Sequence, residues 1–204
     1  MAFYLTVMSV GTALIALVNI LFGIAPSWYY ALIASVFSTL LAFALDGMLA
    51  LLVHYFPDRW FGVDNPRYFV SERACARYKR LGVKKWKDKV WELGGLGGFS
   101  KKHLSDPLSA TYIERFIIES NKGVLTHRLG YAAGFLTMLF LPNACAFTIA
   151  LPVALVNLYL NILPTIILRD NTPRLQKLLT RLQRKEQKEK EKALAAQAAE
   201  HLEG

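Results

Sequence analysis

Apolar residues dominate two opening stretches of the chain, Phe3 to Ala25 and Trp28 to Phe56, separated by Pro26 and Ser27. As a helix the first would measure about 35 Å and the second more, against roughly 30 Å of bilayer hydrocarbon. Trp28, Tyr29 and Tyr30 form the aromatic belt expected where a helix meets headgroups, and Pro57 ends the second run. From Asp58 to His127 the pattern reverses, and the chain is charged, aromatic and punctuated by glycine. Val70 to Leu81 is compatible with a basic helix, Gly82 breaks it before Val83 to Trp91, and a loop with Gly94, Gly95, Gly97 and Gly98 follows. Ser109 then opens an amphipathic helix, with Tyr112, Ile113, Phe116, Ile117 and Ser120 at three- and four-residue spacing. This helix is expected to run through Gly123 into a third apolar segment, Leu129 to Leu141, only about 20 Å long. Pro142 and Asn143 turn the chain into a fourth, Ala144 to Leu168, closed by Arg169. In the tail, Leu175, Leu178, Leu179 and Leu182 share one face among basic residues, the pattern of a helix lying on anionic lipid.

Charge orients these segments. No Lys or Arg precedes Arg59, and Asp46 is the one acid before Asp58. All 24 basic residues fall in two blocks, 15 between Arg59 and Arg128 and nine between Arg169 and Lys192. Runs this long without charge exclude a soluble enzyme and a secreted disulfide scaffold. The first run lacks the basic start and small-residue cleavage pattern of a signal peptide, so it reads as a retained span. Both basic blocks belong on the cytoplasmic side and the turns at Pro26 and Pro142 on the other. The expectation is an all-α polytopic protein of the cell membrane with four transmembrane helices and both termini cytoplasmic. Its regions are 1–57 (helices 1 and 2), 58–128 (a cytoplasmic basic insertion), 129–168 (helices 3 and 4) and 169–204 (a basic amphipathic tail). The net charge of +9 then addresses a lipid bilayer and not nucleic acid. Cys75 and Cys145 fall on opposite sides of this topology and cannot pair.

Candidate chemistry is sparse. The chain has no GxSxG, HExxH or GxxxxGK[ST] motif, and no carboxylate cluster that would hold a metal. His54 and Asp58 are spaced one residue short of the H-x4-D motif of glycerolipid acyltransferases, and Asp58 reads as a cap after Pro57. Asp46 lies roughly 15 Å from the cytoplasmic end of its run, where an ionisable group is expensive unless paired or neutral. Asn157 and Asn161 share a face of the fourth segment. Glu119, Lys122 and His127 lie on one helix, but Glu119 and His127 are roughly 12 Å apart along its axis and meet only if it breaks at Gly123. His127, at the membrane boundary, could instead meet Asp46 or Asn161 and take a proton from an alcohol. Lys84, Lys85 and Lys87 surround Trp86, with Lys101, Lys102 and His103 beyond the glycine loop, a composition suited to phosphates or to a lipid surface.

Read in order, KKWKDK (Lys84 to Lys89), KKHL (Lys101 to Leu104), YIERFIIES (Tyr112 to Ser120), His127, Asn161 and RDNTPRLQKLL (Arg169 to Leu179) resemble the glycosyl-4,4'-diaponeurosporenoate acyltransferase family. The likeness runs from Arg77 through Arg184; an E-x7-H pair matches Glu119 and His127, and an R-x-N-x-P-R pattern matches Arg169, Asn171, Pro173 and Arg174. The resemblance implies an O-acyltransferase that esterifies a sugar hydroxyl of a membrane glycolipid. A glycosylated carotenoid would be one such acceptor, acyl-CoA or acyl carrier protein would be the co-substrate, and no cofactor is implied. His127 is then the expected base, with Glu119, Asp46 or Asn161 as partners and His103 as the competing histidine. Lys84, Lys85, Trp86, Lys87, Lys122, Arg169, Asn171 and Arg174 are expected at the substrates. The competing class is a non-catalytic membrane scaffold in which these residues only pack.

Overall fold

Local end signals set the helix boundaries. In the computed structural model, which describes residues 2–90 and 106–203, α1 spans Ala2–Leu21 and α2 spans Trp28–His54. Gly23, at φ 59°, makes the turn between them, and the Ser27 hydroxyl caps α2 by accepting from the Tyr30 N–H. Two 3₁₀ turns, Asp58–Phe61 and Pro66–Tyr68, lead to α3 (Glu72–Arg80), which Ser71 caps. Gly82, at φ 60°, separates it from the single turn α4 (Val83–Trp86). The helix expected from Ser109 is α5, Ala110–Ala133, running unbroken through Gly123 and tightening into a 3₁₀ turn at Gly134–Phe140. After α6 (Asn143–Cys145) and a π-helical turn at Ala146–Ala150, α7 continues from Leu151 to Glu203. No strand occurs among the described residues.

Among the described residues three helices are long and apolar enough to cross a membrane: Phe3–Leu21, Trp28–His54 and Ala146–Ala195, which joins the π-helical turn to α7. The third crossing expected at Leu129 to Leu141 does not qualify, because its residues are divided between the end of α5 and the 3₁₀ turn. Large apolar side chains on α1 and α2, among them Leu5, Leu14, Leu21, Leu40 and Phe43, are exposed, as lipid-facing residues would be.

α5 and α7 run antiparallel in close contact. Outside the apolar part, Ile113, Phe116 and Ile117 bury against Leu175, Leu179 and Leu182. The leucine face expected to lie on lipid therefore lies on α5 instead. Two apolar stripes of matching period can remove each other from water without a membrane.

Two polar residues of α1 answer a backbone problem in the fourth apolar segment. Proline has no N–H, so Pro152 and Pro164 leave the carbonyls of Thr148 and Leu160, four residues back, without their helical donors. Asn19 Nδ2 donates to the Thr148 carbonyl at 2.9 Å, and the Tyr4 hydroxyl donates to that of Leu160 at 3.0 Å. Both freed acceptors are thus satisfied where water cannot serve.

Candidate functional site

Three helices bring four polar residues together inside the bundle. α2 supplies Asp46, α7 supplies Asn157 and Asn161 one turn apart, and α5 supplies His127. Asn161 Nδ2 donates to Asp46 Oδ2 at 2.7 Å, and Asn157 Nδ2 lies 3.4 Å from Asp46 Oδ1. Asn161 Oδ1 lies 2.8 Å from His127 Nδ1. Since the Asn161 amide nitrogen is committed to Asp46 and the Asn157 carbonyl, the oxygen facing His127 can only accept. The imidazole therefore carries its proton on Nδ1 and presents a lone pair at Nε2. No group among the described residues is bonded to Nε2. The result is a carboxylate–amide–imidazole relay, the arrangement that orients a general base.

Close helix approach makes room for this relay. A Cβ on Gly130 would lie 2.7 Å from Asn161 Oδ1, and one on Gly134 would lie 3.0 Å from Asn157 Nδ2. Asn157 Nδ2 also donates to the Gly130 carbonyl at 3.3 Å. The G-x-x-x-G spacing at Gly130 and Gly134 is a familiar signal for such approach, and the sequence reading passed over it. Beside the network, α2 and the Ala133–Leu136 region frame an apolar groove of about 450 Å³ lined by Leu45, Met48, Leu49, Leu52 and Tyr55. It offers hydrocarbon contact and no chemistry of its own.

Glu119 belongs to a different cluster. With α5 unbroken at Gly123, Glu119 stays away from His127 and sits 3.3 Å from Arg115 and 3.7 Å from Lys122. Asp58 is not the cap expected from the sequence: it lies inside the 3₁₀ turn that follows Pro57, and its carboxylate pairs with Lys122 at 2.6 Å and with Arg115 at 3.0 Å, tying the turn after α2 onto α5. Lys122 is nearly buried and also reaches the His54 carbonyl at 3.4 Å. The hydrogen bond from Lys122, with the charges of Lys122 and Arg115, holds the Asp58 carboxyl below its usual range.

The remaining sequence candidates are spread over several surfaces. Lys84 and Lys85 are exposed, while the Trp86 indole N–H donates to the Leu81 carbonyl at 3.0 Å and its ring packs near Val83 and Ile167. Lys87 lies in the 3₁₀ turn Lys87–Lys89. Arg169 Nε donates to the Tyr78 hydroxyl at 3.2 Å, whereas Arg174 is paired with Asp170 at 2.9 Å. Asn171, two residues from Arg169, points to the opposite side of α7. His103, the glycine loop, Lys101 and Lys102 lie outside the described residues. Among the described residues no group of three potential ligands could hold a metal ion.

Residues 57–181 match the family described as glycosyl-4,4'-diaponeurosporenoate acyltransferase. The chain belongs to this family. No curated protein and no solved structure matches it. The acyltransferase family match takes in His127, Asn157, Asn161, Gly130 and the Asp58–Lys122 cluster. Asp46 lies before the matched stretch, on a helix that reaches the site only through tertiary packing.

Proposed function

We propose that this membrane protein is an O-acyltransferase in which His127 is the general base, held by Asn161 and Asp46. The observation that carries the reading is the unbroken set of hydrogen bonds from Asp46 through Asn161 to His127. In the proposed step, His127 Nε2 removes the proton of a sugar hydroxyl as its oxygen attacks the carbonyl of an acyl thioester. The C–O bond forms, the C–S bond breaks, and the departing thiolate receives the proton from the imidazolium. The Asp46 carboxylate stabilises the transient positive imidazole through the Asn161 amide. Direct transfer suits a site whose relay includes no serine or cysteine nucleophile.

The acceptor is a membrane glycolipid, of which a glycosylated carotenoid is the example the family name suggests. The donor is acyl-CoA or acyl carrier protein, with Lys84, Lys85 and Lys87 drawing its phosphates to the cytoplasmic face. Four spans, with Leu129 to Leu141 as the third, place the site near that face, because every basic residue then lies on one side.

Lipid extracts from cells with and without the gene, compared by mass spectrometry, test the reading. The expected result is a glycolipid heavier by one fatty acyl group, lost when His127 is replaced by Ala in a protein still folded and membrane-inserted. Undiminished product from His127→Ala would leave a scaffold, or another histidine, as the explanation.

A further inference from the structure

Arg169 closes the apolar part of α7 with its charge uncancelled. One terminal guanidinium nitrogen, Nη2, donates to the Phe69 carbonyl at 3.3 Å, and Nε donates to the Tyr78 hydroxyl. The other terminal nitrogen, Nη1, is buried and has no acceptor. Among the described residues no carboxylate lies within ion-pair distance of Arg169, although Arg115, Lys122 and Arg174 each have one. A buried, charged N–H donor is costly to leave unpaired.

Its surroundings favour an anion. Because the Tyr78 oxygen accepts from Arg169, the hydroxyl proton of Tyr78 is directed elsewhere and can itself be donated. Tyr78 lies on α3, part of the stretch Glu72 to Lys89, which carries eight basic residues and two acids. Val83 and Val90 pack this stretch against Ile167 of α7, two residues before Arg169. A guanidinium fork and a phenol in a field of that sign match the several oxygens of an anionic phosphate ester better than a lone carboxylate.

We infer that Arg169 and Tyr78, at the seam between α7 and α3, bind a phosphate ester. Coenzyme A and a phospholipid headgroup are two sources of the same group. With coenzyme A as its source, the site rests on the acyl-transfer reading above.

The test uses the full-length protein carrying His127→Ala, so that turnover cannot disturb binding. In detergent it is titrated with coenzyme A and with pantetheine, which lacks the phosphates, and co-purified phosphatidylglycerol is counted by native mass spectrometry. Coenzyme A is expected to bind more tightly than pantetheine. Arg169→Gln should weaken coenzyme A roughly tenfold or more, with a smaller loss for Tyr78→Phe and pantetheine unaffected. If coenzyme A and pantetheine bind alike while both variants lose retained phosphatidylglycerol, the phosphate is that of a lipid and the site still stands. Tyr78→Phe keeps the ring and Arg169→Lys keeps the charge, so both remain informative if Arg169→Gln fails to fold. If neither changes coenzyme A affinity or lipid retention, the inference is overturned. Failure of the acyl-transfer reading would instead appear as absent turnover in the otherwise unaltered protein.

Discussion

Gly130 and Asn161 compete for one volume: a Cβ on the glycine would stand 2.7 Å from the amide oxygen that faces His127. Backbone on α5 therefore sets where the amide on α7 can sit. Gly130→Ala should push that oxygen away from the imidazole and cut kcat roughly 10²-fold, the cost of about 1 Å of misplacement at a reacting group. Gly47→Ala, next to Asp46 but with nothing within 4 Å of the new methyl, is the control and should keep full activity. Equal losses in the two variants would remove the special role of Gly130.

Asp46→Asn keeps the size of the side chain and removes its charge. The Asn161 amide would then have no fixed reason to turn its oxygen to His127, and the imidazole proton could settle on the wrong nitrogen. kcat should fall roughly 10²-fold, the lower end of what a positioned base contributes, with KM for either substrate little changed. A rise in KM at constant kcat would make Asp46 a binding residue instead.

The Asp58 cluster makes stability depend on pH in a defined direction. Lys122 and Arg115 depress the Asp58 pKa in the folded protein. The resulting stabilisation is complete above the unfolded carboxylate value of about 3.9 and is lost as pH falls through the lower folded value. Asp58→Asn should therefore melt below the parent protein at pH 7 in detergent, and the two melting temperatures should converge below about pH 4. A gap that stays constant down to pH 3 would contradict this.

Tyr4→Phe leaves the Leu160 carbonyl without a donor and should lower stability by roughly 1–3 kcal/mol. Pro164→Ala returns an N–H to that carbonyl, so Tyr4→Phe should cost much less in a Pro164→Ala background. Additive effects in the double variant would show that the hydroxyl stabilises by another route.

Reporter fusions test the proposed topology. Fusions after Pro26 or Asn143 should report from outside the cytoplasm, and a fusion after Gly204 from inside. A cytoplasmic reporter at Asn143 would reduce the crossings to those of the three long apolar helices.

The break at Ser27 and the helix start at Ser109 were legible because caps are local signals, whereas the Ser71 cap begins α3 at Glu72, two residues beyond the expected Val70. Asp46, Asn161 and His127 stood out as polar residues in apolar surroundings, and sequence reasoning listed Asp46 and Asn161 among the possible partners of His127. It could not choose Asn161 over Glu119 as the partner without the helix continuity at Gly123 that the fold supplies. The tail leucines misled because a helix face fits a lipid surface and a neighbouring helix equally well, and periodicity does not name the partner. The link from Tyr4 to Leu160 spans 156 residues, a separation at which spacing carries no information. Even so, Pro152 and Pro164 inside an apolar run mark carbonyls that must find donors somewhere.

The proline-freed carbonyls also bear on the order in which the chain is made. Ribosomes deliver the N-terminus first, so α1 enters the bilayer before the segment that holds Pro152 and Pro164 exists. Asn19 and Tyr4 must then wait among lipid for partners more than a hundred residues downstream. α1 acts in this sense as a resident template for the last apolar segment, and a chain made without it would release two unpaired carbonyls into hydrocarbon.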